Sequence, residues 1–309
     1  MKGIQNILIC GAGMMGKNIG FVFASNPNFR VALYDLYPTD VEASIRTQTK
    51  QLLDKGILTD QELSDRLARI SFTQDLSSPA VAETDLVIEA VFEDMAIKRA
   101  AFAKLEEYCR PDCIFCTNSS VMSPSEISRD LKHRDRFVGT HFWNPGHLIP
   151  LVEVVKSDAS TEETARTVME VLRSVGKKPV LCKKDVPGFI ANRMQHALWR
   201  EAISIVENGI ADAATVDEAV RYSFGLRLPQ LGPMENADMV GTDLTYNIHD
   251  YILRDLEDSH QPSPLLKALR DEGKLGFKSG EGFQSWTVEQ GAQSAADLNG
   301  YLIKMLYGK

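Results

Sequence analysis

The sequence predicts an α/β fold: a doubly wound sheet followed by an all-helical C-terminal domain. Three observations carry this prediction. Short apolar runs alternate with longer amphipathic ones across residues 1–185. Runs such as Ile7-Leu8-Ile9-Cys10 and Leu86-Val87-Ile88 are apolar without interruption, as strands buried on both faces of a parallel sheet are. After Asp185-Val186-Pro187-Gly188 the strand-type runs stop and helical patterns take over.

In chain order, residues 7–10 read as a strand and 14–24 as a helix. A second strand at 31–34 is followed by charged helices at 40–55 and 60–68, a strand at 86–90 and a helix at 97–109. Strands follow at 114–117, 137–142, 151–155 and 179–181, with a helix at 161–175 before the last. Ser160 and Glu163 fit a capping box at the start of that helix. Beyond the boundary, helices are expected at 191–208, closed by Gly209, and at 215–224, 235–256 and 264–272. The expected domains are 1–185 and 186–309.

Composition narrows the function. A chain of 309 residues is about two domains long, and 44% apolar content supplies a sizeable core. A net charge of −8 disfavours nucleic acid as a partner, because phosphate binding needs a basic footprint. No apolar run reaches the roughly 18 residues of a membrane span. Met1-Lys2-Gly3-Ile4-Gln5-Asn6 leads straight into a strand without a signal-peptide pattern, so a cytoplasmic protein is expected. The five cysteines point to reduced thiols rather than a disulfide framework. Cys109, Cys113 and Cys116 lack the paired spacing of a zinc site, so no metal is expected.

Gly11-Ala12-Gly13-Met14-Met15-Gly16 matches G-x-G-x-x-G, directly after a strand and opening a helix. Gly11 suits the tight turn, Gly13 lets backbone approach a pyrophosphate, and Gly16 allows close helix–strand packing. Met14 and Met15 sit where the helix N-terminus meets the phosphates. Asp35 ends the second strand, 19 residues past Gly16, where a carboxylate bonds ribose hydroxyls and repels a 2′-phosphate. Leu36-Tyr37-Pro38 offers no arginine for that phosphate, so the sequence favours NAD over NADP.

Within residues 137–155, His141 closes one strand and Glu153 lies in the next. That arrangement suits proton transfer, although in isolation a core histidine beside an ordinary strand glutamate is the stronger reading. The dinucleotide site upstream favours the catalytic reading.

Seven motifs then fall in order: Gly11–Gly16, Asp85–Ala90, Thr117-Asn118-Ser119-Ser120, Gly139-Thr140-His141-Phe142-Trp143-Asn144-Pro145, Leu151–Val155, Asp185–Arg193 and Gly280-Glu281-Gly282-Phe283. With them the chain resembles the 3-hydroxyacyl-CoA dehydrogenase family over nearly its whole length. The resemblance implies a Rossmann domain followed by a helical domain that usually dimerises. It places the catalytic pair on His141 and Glu153, supporting polar residues on Ser120, Asn144 and Asn192, and cofactor contacts on Glu93, Lys98 and Lys278. A neutral imidazole is suited to the hydroxyl proton, the glutamate to fixing its tautomer, and Ser120 and Asn192 to the substrate oxygen.

Three segments depart from the family pattern. The helix after the second strand lacks an evident cluster of lysines for a CoA phosphate; the aligned positions fall on Gln51 and Leu58. Gly146-His147-Leu148-Ile149-Pro150 lacks the lysine common there, and residues 225–233 form a longer turn. These features resemble the branch with carnitine dehydrogenase, gulonate dehydrogenase with lambda-crystallin, and a hydroxymethyl-pyridine-carboxylate dehydrogenase. Arg227 is then a candidate carboxylate clamp, because guanidinium pairs bidentately with carboxylate. The expected function is NAD-dependent oxidation of a secondary alcohol β to a carboxylate or acyl group. The substrate is a small hydroxy acid or an acyl-CoA, and the protein a homodimer. A 3-hydroxybutyryl-CoA dehydrogenase proper and a non-catalytic NAD-binding structural or sensor protein are the alternatives.

Overall fold

The computed structural model describes residues 3–308. Met1 and Lys2, the start of the stretch read for a signal pattern, lie outside the described residues, as does Lys309. The chain divides into two compact units, the first of Met1–Arg193 with Asp297–Lys309 and the second of Met194–Ala296. The first break therefore falls eight residues beyond the 185/186 boundary expected from sequence, and the C-terminal segment belongs with the first unit.

The first unit begins β1 (Asn6–Cys10), α1 (Met14–Phe23), β2 (Arg30–Tyr34), α2 (Val41–Asp54), α3 (Asp60–Leu67), β3 (Ile70–Thr73), α4 (Pro79–Ala82), β4 (Leu86–Glu89) and α5 (Met95–Tyr108). It continues with β5 (Ile114–Thr117), α6 (Pro124–Ile127), β6 (Phe137–Phe142), β7 (Leu151–Lys156), α7 (Glu162–Ser174) and β8 (Lys178–Cys182). The strands form one eight-stranded sheet in the order β3-β2-β1-β4-β5-β6-β7-β8. Successive residues of a strand face opposite sides. Ile7 and Ile9 of β1 accordingly join one apolar cluster and Leu8 and Cys10 the other. Two buried layers, one on each face, explain why the strand sequences are continuously apolar.

One feature corrects the expected parallel sheet: β6 and β7 pair antiparallel, while the other neighbours run parallel. Only residues 143–150 join them, too short a link for the crossover of a dozen or more residues that parallel pairing requires. A second correction concerns α7. Its N-cap is Thr161, whose hydroxyl accepts from the Thr164 amide, and not Ser160. The Ser160 hydroxyl instead bonds Ser157 and the Phe137 carbonyl, tying the preceding turn to β6. Strand β3 was not expected: four half-exposed residues at a sheet edge leave too short a pattern to detect.

Among the described residues, seven helices complete the chain. They are α8 (Ala191–Glu207), α9 (Ala213–Arg221), α10 (Phe224–Arg227), α11 (Pro233–Val240), α12 (Thr242–Ile252), α13 (Pro264–Asp271) and α14 (Val288–Tyr307). The single helix expected at 235–256 is two, broken at Gly241, whose φ of 102° leaves the helical region. The 20-residue α14 was not anticipated, because Gly291 and Gly300 interrupt its helical pattern. Among the described residues no helix is long and apolar enough to cross a membrane.

The strand order reverses at β1, which lies between β2 and β4. Ligands of open α/β sheets bind beyond the carboxyl ends of the strands at such a switch point. The same ends of β4, β5 and β6 deliver residues 89–93, 117–120 and His141.

Candidate active site

Three glycines shape the turn from β1 into α1. Gly11 has φ 105°, and a Cβ there would lie 2.6 Å from the Ala90 carbonyl oxygen. At Gly16 a Cβ would meet the Gly11 carbonyl oxygen at 1.8 Å, so α1 cannot approach β1 with a side chain there. Gly13 is different: a Cβ would find nothing within 4 Å. Packing within the chain does not require that glycine, whereas close approach of a ligand would. Gly13 is also the N-cap of α1 and supplies no side-chain cap, so the first amides of the helix suit an anion. Met14 is exposed, and Met15 packs partly against the core. Asp35 accepts the Ala12 amide on Oδ2 at 2.7 Å and the Tyr37 amide on Oδ1 at 3.1 Å. The carboxylate is thus held against the glycine turn. These residues fit a dinucleotide.

Across the antiparallel pair, His141 and Glu153 are direct register partners. Both are buried, and His141 Nδ1 lies 2.8 Å from Glu153 Oε2. The Trp143 indole donates to the same oxygen at 3.3 Å. Glu153 Oε1 accepts the Ile190 and Ala191 amides at 2.9 and 3.0 Å, so this carboxylate also anchors the start of α8. Burial would raise the Glu153 carboxyl, but the His141 ring and those two amides hold it below the ordinary carboxylate value. An ionised Glu153 favours the tautomer with the imidazole proton on Nδ1, which leaves the Nε2 lone pair free. The segment entering α8 is itself unusual. Phe189 is buried with φ 49°, a conformation that non-glycine residues rarely adopt, and its ring lies 5.9 Å from that of His141.

Asn192, on the first turn of α8, donates from Nδ2 to the Ser120 carbonyl oxygen at 3.0 Å. Ser120 follows β5, and its amide donates to Glu93 at 3.1 Å. Glu93 also accepts the Ser119 hydroxyl and lies 3.1 Å from Lys98. Burial would raise the Glu93 carboxyl, but Ser119, Lys98 and the Ser120 amide bring it below the ordinary value. His141, Glu153, Asn192, Ser120, Glu93 and Lys98 are therefore joined by one run of contacts in the first unit. Asn144 is exposed just beyond β6. Arg227 and Lys278 are exposed residues of the second unit.

Several contributors escaped the sequence reading. Glu89 closes β4 fully buried, 2.8 Å from Lys98, and burial pushes its carboxyl up against the opposing pull of Lys98. An acid ending an apolar strand was the available signal. Lys177 is buried and donates to the Gly146 and Ile149 carbonyls at 2.6 and 2.7 Å, pinning the loop between β6 and β7. His147 of that loop bonds Asn18 of α1. Burial, with Lys177 nearby, lowers the His147 ring to about 4, so it is neutral near pH 7. Nothing in the local sequence marks Lys177, because its partners are backbone oxygens distant along the chain.

The family described as "3-hydroxyacyl-CoA dehydrogenase, NAD binding domain" matches residues 6–186, and its "C-terminal domain" matches residues 188–286. The chain belongs to the 3-hydroxyacyl-CoA dehydrogenase family. The resemblance carried by the seven motifs is thus one of membership, and the protein is an NAD-dependent oxidoreductase acting on CH–OH groups. Among its relatives is a probable 3-hydroxybutyryl-CoA dehydrogenase of Bacillus subtilis, 37% identical over 92% of this chain and 98% of that one. Another is the 5-formyl-3-hydroxy-2-methylpyridine 4-carboxylate 5-dehydrogenase of Mesorhizobium japonicum, 33% identical over 93% of this chain and 92% of that one. A crystal structure of an enzyme of the latter name, described as an NAD+ dependent dismutase, matches 99% of this chain and 100% of its own at 32% identity and TM-score 0.90. The (S)-3-hydroxybutyryl-CoA dehydrogenase PaaH1 of Ralstonia eutropha matches 92% of this chain and 100% of its own at 27% identity and TM-score 0.77.

Proposed function

We propose that this dehydrogenase oxidises a small carboxylated secondary alcohol, a 3-hydroxy acid or a close equivalent, with His141 as general base. The observation that carries the reading is the buried 2.8 Å contact between His141 Nδ1 and Glu153, which frees Nε2 for the substrate hydroxyl. NAD, when bound at the glycine turn, supplies the hydride acceptor. His141 Nε2 takes the hydroxyl proton, and Glu153 stabilises the imidazolium that forms. Ser120 Oγ and the second N–H of Asn192 donate to the substrate oxygen. Glu93 and Asn144 join the glycine turn and Asp35 around the cofactor, and Lys98 and Lys278 are further candidates that rest on the family resemblance alone.

Two observations support a free acid over a CoA ester. The basic residues Arg46 and Lys50 of α2 are paired with Glu42 and Asp54, at 2.8 and 2.6 Å, and so present no open footprint for a CoA phosphate. The TM-score of 0.90 is to an enzyme named for a pyridine carboxylate. That name also carries a formyl group, and a hydrated aldehyde offers the same C–H and O–H to His141 as a secondary alcohol. Arg227 is our candidate for the carboxylate clamp. The homodimer forms through the second unit: among Met194–Ala296 no apolar side chain is buried, while Trp199, Leu226, Met234, Tyr246 and Tyr251 are all at least half exposed. Five free thiols suit the cytoplasm.

The test is NADH formation, followed by absorbance, with 3-hydroxybutyryl-CoA, free 3-hydroxybutyrate, carnitine, gulonate and a hydroxymethyl-pyridine carboxylate. Turnover of a free acid is expected, with His141→Ala lowering kcat by roughly two to four orders of magnitude. Turnover of the CoA ester alone would refute the free-acid reading. Tight NADH binding without turnover of any substrate would favour a non-catalytic role.

A further inference from the structure

We propose that Trp143 is a positioning residue for proton transfer: its indole N–H fixes the Glu153 oxygen that faces His141 and holds back part of that oxygen's charge from the imidazole. The inference rests on the reading of His141 as the general base. Trp143 follows β6 directly, two residues beyond His141, and is partly buried. Its Nε1 donates to Glu153 Oε2 at 3.3 Å, the same oxygen that lies 2.8 Å from His141 Nδ1. Its ring centroid lies 5.2 Å from that of His141, with the planes tilted by 49°. One side chain thus meets both members of the pair. Phe189 also neighbours the imidazole, but its ring carries no donor.

The contacts of Glu153 show what the indole adds. Oε1 is taken by the Ile190 and Ala191 amides, so one oxygen is left for side chains. Nδ1 of the imidazole and Nε1 of the indole divide it. Donors that share an oxygen compete for its charge, and each bond it accepts leaves less to attract the next. Glu153 is fully buried, where such competition is felt more strongly than in water. With the indole in place, the imidazolium is stabilised when it forms, but the ring is not charged beforehand. Oxidation needs that neutral ring near pH 7. Other titratable groups lie further out. The Cys182 thiol of β8 is raised above its ordinary value by burial. Asp185 is bonded by the Ser123 hydroxyl at 2.6 Å and the Ser125 amide at 2.8 Å, and beyond Ser120 Glu93 is paired with Lys98. All of these are unchanged by a substitution at Trp143.

The test is the pH dependence of kcat/KM in Trp143→Phe and Trp143→Leu. The substrate is whichever of 3-hydroxybutyrate, 3-hydroxybutyryl-CoA, carnitine, gulonate and the hydroxymethyl-pyridine carboxylate the parent turns over. Oxidation falls as pH drops through the acidic limb, because the base is then already protonated. Losing the indole N–H strengthens the hold of Glu153 on that proton. We expect the limb to move to higher pH by about half a unit or more in both variants, a loss of about threefold at a fixed pH on the limb. Reduction by NADH needs the protonated ring, so its basic limb should move the same way. The two variants differ in packing and share only the missing donor. A lower plateau with an unmoved limb in either one makes Trp143 a packing residue and overturns the proposal. A limb displaced to lower pH overturns it too. Either variant decides if the other does not fold, and loss of the fold in both, read by circular dichroism, makes the indole a core residue and overturns it as well. Unmoved limbs beside an inactive His141→Ala refute only the role of Trp143. A fully active His141→Ala, or a parent without an acidic limb or without turnover, removes the underlying reading and this proposal with it.

Discussion

Glu153 holds His141 with one carboxylate oxygen and the first amides of α8 with the other. A single buried side chain thus sets both the tautomer of His141 and the start of the helix that carries Asn192. Glu153→Gln keeps the volume but loses the charge that stabilises an imidazolium. We expect kcat to drop by roughly two to four orders of magnitude with NADH affinity little changed. A kcat within a few-fold of the parent, measured by NADH absorbance, would remove Glu153 from the proton-transfer pair.

The glycine turn separates the demands of folding from those of binding. Gly13→Ala meets nothing within 4 Å, so its melting temperature should match the parent to about 2 °C while NADH binding weakens at least about tenfold. Gly16→Ala forces a Cβ to 1.8 Å from a backbone oxygen and should destabilise the fold by about 3 kcal/mol or more. Calorimetry with fluorescence titration distinguishes the two, and an undiminished NADH affinity in Gly13→Ala would contradict a phosphate seat there.

Lys177 gives stability a pH dependence of definite sign. Burial lowers its ammonium from 10.5 to about 8. Between those values the unfolded chain binds a proton that the folded one releases, so folding becomes more favourable as pH rises through the window. The full effect is about 3 kcal/mol. Denaturant unfolding of the parent and Lys177→Met from pH 7 to 10.5 should show the rise only in the parent. Parallel curves would exclude Lys177 as the titrating group.

Arg227 is the residue on which the free-acid reading is most exposed. If it clamps a substrate carboxylate, Arg227→Ala raises KM for the acid about ten- to hundredfold and leaves NADH affinity intact. Unchanged KM would move the clamp elsewhere in the chain.

The sheet was legible because both its faces are buried: continuous apolar runs mark β1, β2, β4 and β5 directly. The places of His141, Glu153 and Asp35 in the fold were legible because His141 and Asp35 lie at strand ends and Glu153 lies within the apolar run that follows. The antiparallel pairing of β6 with β7 was missed because the strands' own residues carry no direction; only the short link between them does. Lys177 was hidden for a related reason: the two loop carbonyls that hold it lie far away in sequence. The short, half-exposed β3 and the glycine-interrupted α14 carried too weak a period to stand out.

The return of Asp297–Lys309 to the first unit has a consequence for biosynthesis. Ile303 is 1% exposed within the same apolar cluster as Ile7 and Ile9. A ribosome delivers that side chain only after the intervening helical unit, Met194–Ala296, has been made. Domains ordinarily fold from the N-terminus as they emerge, but here the nucleotide-binding layer lacks Ile303 until the second unit has been made.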